Sequence, residues 1–119
     1  MNEIYSASPY SGKTFRLALQ NCDNDYFQSS DLDNIKYTVY HVDMGVREAV
    51  TGHTSVTIPT SAMADTPLMS HNAETYNFEY RISAASVVPF AIPGDLYLVV
   101  FTFIFSAEPY DFCVWIRPE

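Results

Sequence analysis

Ser11-Gly12-Lys13-Thr14 reads like the end of a phosphate-binding loop. Such a loop needs a glycine five residues before Gly12, where Ala7 stands, and a helix after the lysine to aim its first N–H groups at phosphate. Alternating strand residues follow instead, so the tetrapeptide is a strand lead-in. His41, His53 and His71, with Asp43 and Asp65, have side chains suited to metal binding or proton transfer, but none has ligand spacing, and they read as scattered surface histidines. Asp23, Asp25, Asp31 and Asp33 offer oxygens to Ca²⁺ without the central glycine and distal glutamate of an EF-hand loop, so they read as a solvated turn. There is no Gly-x-Ser-x-Gly elbow, and Cys22 and Cys113 lack a histidine partner signature. No nucleophile, base and orienting group can be named together, so neither an enzyme nor a cofactor nor a metal is expected.

The elements that would position any site come from a chain of 119 residues carrying 14 Asp+Glu against 6 Lys+Arg, a net charge of −8. That length makes one domain, and a 48% apolar content with 17% charged residues excludes disorder. Lys13, Arg16, Lys36, Arg47, Arg81 and Arg117 are scattered singly, so no basic stripe exists to neutralise phosphates and nucleic acid is not an expected partner. The acidic excess suits solubility or, less commonly, mimicry of a nucleic-acid backbone. The N-terminus MNEIYSASPYSGK has neither the basic nor the apolar region of a secretory signal, which predicts synthesis in the cytoplasm. The longest apolar run, Leu96 to Phe105, is about half a membrane-spanning helix, so no membrane is expected and the run reads as a strand. Cys22 and Cys113 read as packing residues, free thiols in a reducing compartment.

Period-two alternation marks the strands. Thr14 to Gln20 directs Phe15, Leu17 and Leu19 one way, and Asn21 to Asn34 is a loop rich in turn formers around Tyr26 and Phe27. Ile35 to Val42 is a strand ended by Asp43-Met44-Gly45, and short strands follow at Val46 to Val50 and His53 to Pro59. Thr60 to Asp65 predicts one helical turn capped by Thr60 or Ser61, and Pro67 to Thr75 is irregular. Tyr76 to Ile82 puts Phe78, Tyr80 and Ile82 on one face. Asp95 to Ser106 is apolar on both faces; Glu108-Pro109-Tyr110-Asp111 reads as a tight reversal into a last strand from Phe112.

Six or seven short strands and no long helix predict an all-β, two-layer antiparallel β-sandwich of immunoglobulin-like topology with a C-terminal hairpin. Residues 12–119 form the domain, and 1–11, with Ile4, Tyr5, Pro9 and Tyr10, form an extended arm suited to ordering on a neighbour. Leu98, Val100 and Ile104 stand where a solitary sandwich places polar residues, so a loop or another chain must cover them. Tyr5, Tyr10 and Trp115 are the aromatics to expect at an interface.

The succession Gly12-Lys13-Thr14-Phe15-Arg16-Leu17-Ala18-Leu19, Ile35-Lys36-Tyr37-Thr38-Val39-Tyr40, Thr57-Ile58-Pro59 and Pro93-Gly94-Asp95-Leu96-Tyr97 before a terminal hairpin resembles small immunoglobulin-like structural proteins of tailed bacteriophages. The usual Asp-Gly hairpin of the first connection is replaced by the longer Cys22 to Asn34 loop, and no functional residue carries over. The resemblance implies a non-enzymatic virion component: a capsid decoration or cement protein, a head–tail connector accessory or a tail-associated protein. It would be made in the host cytoplasm and bind itself or a capsid or tail protein as part of a larger assembly. The interface residues this points to are Ile4, Tyr5, Tyr10, Leu98, Val100, Ile104 and Trp115. The alternatives are an acidic, nucleic-acid-mimicking inhibitor of a host enzyme, and a carbohydrate-binding or adhesion module.

Overall fold

The computed structural model describes residues 4–7, 12–20, 32–63, 69–71, 74–83 and 88–119. Their strands are β1 (Ile4–Ala7), β2 (Lys13–Leu17), β3 (Asn34–Asp43), β4 (Val46–Ala49), β5 (Val56–Ile58), β6 (Met69–His71), β7 (Glu74–Tyr76), β8 (Phe78–Ile82), β9 (Leu96–Phe105) and β10 (Glu108–Pro118). The large sheet has the order β1-β10-β9-β3-β4, with β5 also pairing β3. All its pairings are antiparallel except β1 with β10. The antiparallel pair β2-β8 forms the second layer, and β6-β7 a separate small ribbon. The fold is therefore a β-sandwich, as the alternation predicts.

The strand count exceeds the expected six or seven because short pairings are invisible to an alternation test. Met69–His71 is a strand inside the segment read as irregular, and the predicted strand from Tyr76 is two strands broken at Asn77. The helical turn is a 3-10 turn at Thr60–Ala62, preceded by Pro59 and without a side-chain cap, so neither Thr60 nor Ser61 caps it.

The last hairpin turns earlier than predicted. Ser106 and Ala107 both take positive φ (49° and 66°) in a two-residue loop, and Glu108 already pairs with Phe105. This conformation suits the twist of a two-stranded ribbon. Pro109 sits within β10 rather than in the turn.

The core lies between the layers. Alternation along β9 sends Tyr97, Val99, Phe101 and Phe103 inward, where Ile35, Tyr37 and Val39 of β3 and Val114 and Ile116 of β10 join them. From the facing layer, Phe15 meets the Phe101 ring edge-on at 5.2 Å, and Phe78 meets Phe101 and Phe103 at 5.4 and 5.1 Å. Such T-shaped pairs add to simple burial because a ring's positive edge meets a negative face.

At the β3–β4 turn, Met44 and Gly45 both have positive φ (51° and 80°), and Met44 is 96% exposed. A methionine in this region carries strain with no packing to offset it, whereas asparagine tolerates it. Met44→Asn should raise stability by about 0.5–1 kcal/mol, read as an upward shift in the urea midpoint with unchanged slope. An unchanged or lower midpoint would mean that the turn holds no such strain.

Candidate protein-interaction surface

The two outward faces of the sandwich differ in chemistry. On the small sheet, Arg16 Nε donates to Glu79 Oε2 at 2.8 Å, Tyr76 Oη donates to the same oxygen at 3.0 Å, and Arg81 Nη1 donates to Thr14 Oγ1 at 3.1 Å. That face is polar and bonded to itself.

On the large sheet, register sets Ile4, Trp115, Leu98, Tyr40 and Ala49 side by side across five strands. Val100 lies in the next such line, between Cys113 and Thr38. A polar line of Lys36, Thr102 and Asp111, in which Thr102 Oγ1 donates to Asp111 Oδ1 at 2.8 Å, separates Val100 from Ile104.

The expected interface residues are distributed unevenly. Val100, Ile104 and Trp115 are half-buried on this outer face, and Ile4 is 42% exposed beside Trp115. Leu98 is also on the outer face but is 0% exposed, flanked in register by the large side chains of Trp115 and Tyr40, so it supports the surface without presenting itself. Tyr5, 47% exposed, points to the opposite side of β1, where the Lys13 ammonium lies 6.0 Å from its ring. Burial, and secondarily Arg16, lowers the pKa of that lysine. Tyr10 lies outside the described residues, as do 1–3 and 8–11 of the arm. Residues 4–7 lie on the chain's own sheet, and Glu119 N–H donates to Ala7 O at 3.0 Å.

Two histidines are not the scattered surface residues they seemed. His53 is buried, with Nδ1 2.8 Å from Tyr37 Oη, and its backbone bridges Val39 and Val50. Burial, with Tyr80 adding to it, pushes the Tyr37 phenol up to about 12, so the phenol keeps its proton at physiological pH.

His41 Nε2 lies 2.8 Å from Asp95 Oδ2, and its ring packs on Tyr97 at 5.0 Å. Asp95 is delivered there by a turn in which Pro93 and Gly94 (φ 84°) hold the central positions and Asp95 N–H donates to Ile92 O. A cleft of about 270 Å³ beside the pair is walled by Val50, Val88, Pro89, Ile92 and Tyr97. It falls below the roughly 300–1,000 Å³ of ordinary small-molecule sites. No hydroxyl or thiol bonds to His41 among the described residues, so the pair clamps β3 to the start of β9. His71 lies in β6.

No group of three or more His, Cys, Asp and Glu among the described residues is placed to hold a metal ion. Cys22 lies outside the described residues. Cys113 is exposed rather than packed, because its side chain is on the outer face near the margin of the sheet.

Alternation along the chain did not reveal Asn77, which is fully buried and holds the main chain beyond β2. Its Oδ1 accepts from Leu19 N–H at 2.7 Å, and its Nδ2 donates to Leu19 O at 3.1 Å. The available signal was a lone amide between Tyr76 and Phe78, since asparagine is rare in strands. Compared with models of protein families, with curated protein sequences and with solved structures, the chain matches none.

Proposed function

We propose that this chain is a non-enzymatic virion structural protein of a tailed phage, a capsid decoration, head–tail connector or tail-associated component, that acts by burying the outer face of its large sheet. The partner is a second copy or a capsid or tail protein. One observation carries the reading: the outer face of the large sheet is apolar through Ile4, Trp115, Val100 and Ile104, while the other outward face is closed by its own polar bonds. Three long strands of about 33 Å or more and two four-residue strands of about 13 Å, spaced about 4.8 Å apart, present about 600 Å², so this face supplies most of the roughly 800 Å² that one side of a standard interface needs. Assignment to a phage particle is supported by the resemblance in strand order and turn residues.

Light scattering of the purified protein tests this. Apolar burial predicts an oligomer that persists in about 1 M salt, where charges are screened within about 3 Å. Val100→Glu should reduce it to a monomer while costing the fold no more than about 1 kcal/mol, since Val100 is already half-buried in the free protein. A species that dissociates steeply with salt would instead favour the second reading, an acidic inhibitor in a nucleic-acid groove, which draws on the net charge of −8.

A further inference from the structure

We infer that the outer face of the large sheet is complementary to itself and takes a second copy of this chain, packed on it about a two-fold axis that runs along β9. The inference rests on the protein–protein reading above and commits that face to one partner in one geometry.

A two-fold axis along β9 stacks β9 on its own copy, β10 on β3 of the second copy, and β1 on β4. Each line of residues across the sheet is thereby laid on itself in reverse. In the line Ile4, Trp115, Leu98, Tyr40 and Ala49, Trp115 meets Tyr40 of the second copy and Ile4 meets Ala49, a large side chain over a small one. Leu98 lies on the axis beneath the surface, while Val100 and Ile104, both half-buried, meet their own copies.

The polar line selects the partner. Asp111, Thr102 and Lys36 stand side by side on β10, β9 and β3. Both charged residues are exposed, and neither forms an ion pair among the described residues. Two strand spacings, about 10 Å, separate their backbones within one copy, with Thr102 between them and bonded to Asp111 Oδ1. Reversal about β9 sets Asp111 over Lys36 of the second copy and Lys36 over its Asp111, so two equivalent ion pairs close across the interface. Stacked sheets lie about 10 Å apart, a gap that a lysine and an aspartate span together. Arg47 and Arg117 come to lie over Ser6 and Val42 of the second copy, with no cation opposite. An axis across the strands would stack β10 on β10 and β3 on β3, which leaves Asp111 and Lys36 on separate strands and unpaired. About 600 Å² on each copy gives about 1,200 Å² in all, the lower end of stable interfaces.

Sedimentation equilibrium of the intact protein tests this with Lys36→Asp, Asp111→Lys, the double variant, and an equimolar mixture of the two single variants. Each single reversal should weaken self-association by about tenfold or more, because it sets like charges opposite each other twice. The double variant should regain the wild-type dissociation constant to within about threefold, and the mixture should form a 1:1 heterodimer in preference to either homodimer. Net charge alone predicts otherwise: the single reversals move it from −8 to −10 and −6, so they would shift association in opposite directions. Such opposite shifts would overturn the inference, as would failure of the double variant to recover or a wild-type protein that stays monomeric. Recovery in the double variant also shows that neither single loss is damage to the fold. An oligomer abolished by Val100→Glu but indifferent to both reversals overturns this inference alone and leaves the face as the contact surface. An oligomer indifferent to Val100→Glu as well removes both readings.

Discussion

Phe101→Ala should remove about 3–5 kcal/mol of stability, a large part of the 5–15 kcal/mol that holds a typical domain, and lower the melting temperature by roughly 10–20 °C. Phe101 is fully buried at the centre of β9 and touches rings from both layers. Phe15 and Phe78 come from the small sheet, Tyr37 from β3 at 6.3 Å, and Phe103 lies beside it at 6.5 Å. Truncation removes the transfer term and leaves a cavity whose walls belong to two sheets, which cannot both collapse onto it. Phe101→Leu separates the contributions, because it keeps apolar burial but loses the edge-to-face pairs; about 1–3 kcal/mol is expected. Urea denaturation of the three proteins measures both. If Phe101→Ala costs less than about 1 kcal/mol, the layers are held together elsewhere.

Asn77→Ala should cost about 2–4 kcal/mol, unusual for a residue that contributes little apolar area. β2 ends at Leu17, whose carbonyl accepts from Asn77 N–H at 3.1 Å, and two residues later the Asn77 amide replaces a strand partner by pairing with both backbone groups of Leu19. Alanine leaves a buried N–H and a buried C=O unsatisfied together.

Asn77→Asp is the sharper variant. An ionised carboxylate still accepts from Leu19 N–H but confronts Leu19 O with a second acceptor, and burial disfavours its charge. Its pKa in the fold should therefore rise above the unfolded value of about 3.9, so that stability is regained below about pH 4 and lost as pH rises through the folded value. Identical behaviour of the alanine and aspartate variants across pH would show that the paired bonds are not the source of the loss.

Both residues bear on what could be read along the chain. Phe101 belongs to the alternation Tyr97, Val99, Phe101, Phe103, whose inward face is legible because strand side chains alternate with period two. Asn77 breaks a run that otherwise reads as one strand, and its bonds lie 58 residues away in sequence, where no local pattern reaches. His53 is the same kind of case, since its partner Tyr37 is set by the path of β3 and the turn after Val50. By its type alone Pro109 signals a turn. It is equally at home on an outward strand position, and only the pairing of Glu108 with Phe105 separates the two.

For the candidate surface, composition and alternation determined that β9 would be apolar on both faces and that one of those faces would lie outside a two-layer sandwich. They also determined the all-β class and the terminal hairpin, because these follow from local periodicity and the near absence of helix signals. The tertiary structure alone decided which outward residues are presented. Leu98 is enclosed because register seats it between Trp115 and Tyr40, while Val100, Ile104 and Trp115 remain half-open. It alone decided that Cys113 faces outward near an edge and that part of β10 has no described strand beside it. Strand order, register and the length of β1 are pairings between distant segments, fixed by the whole set of contacts rather than by any one stretch of chain.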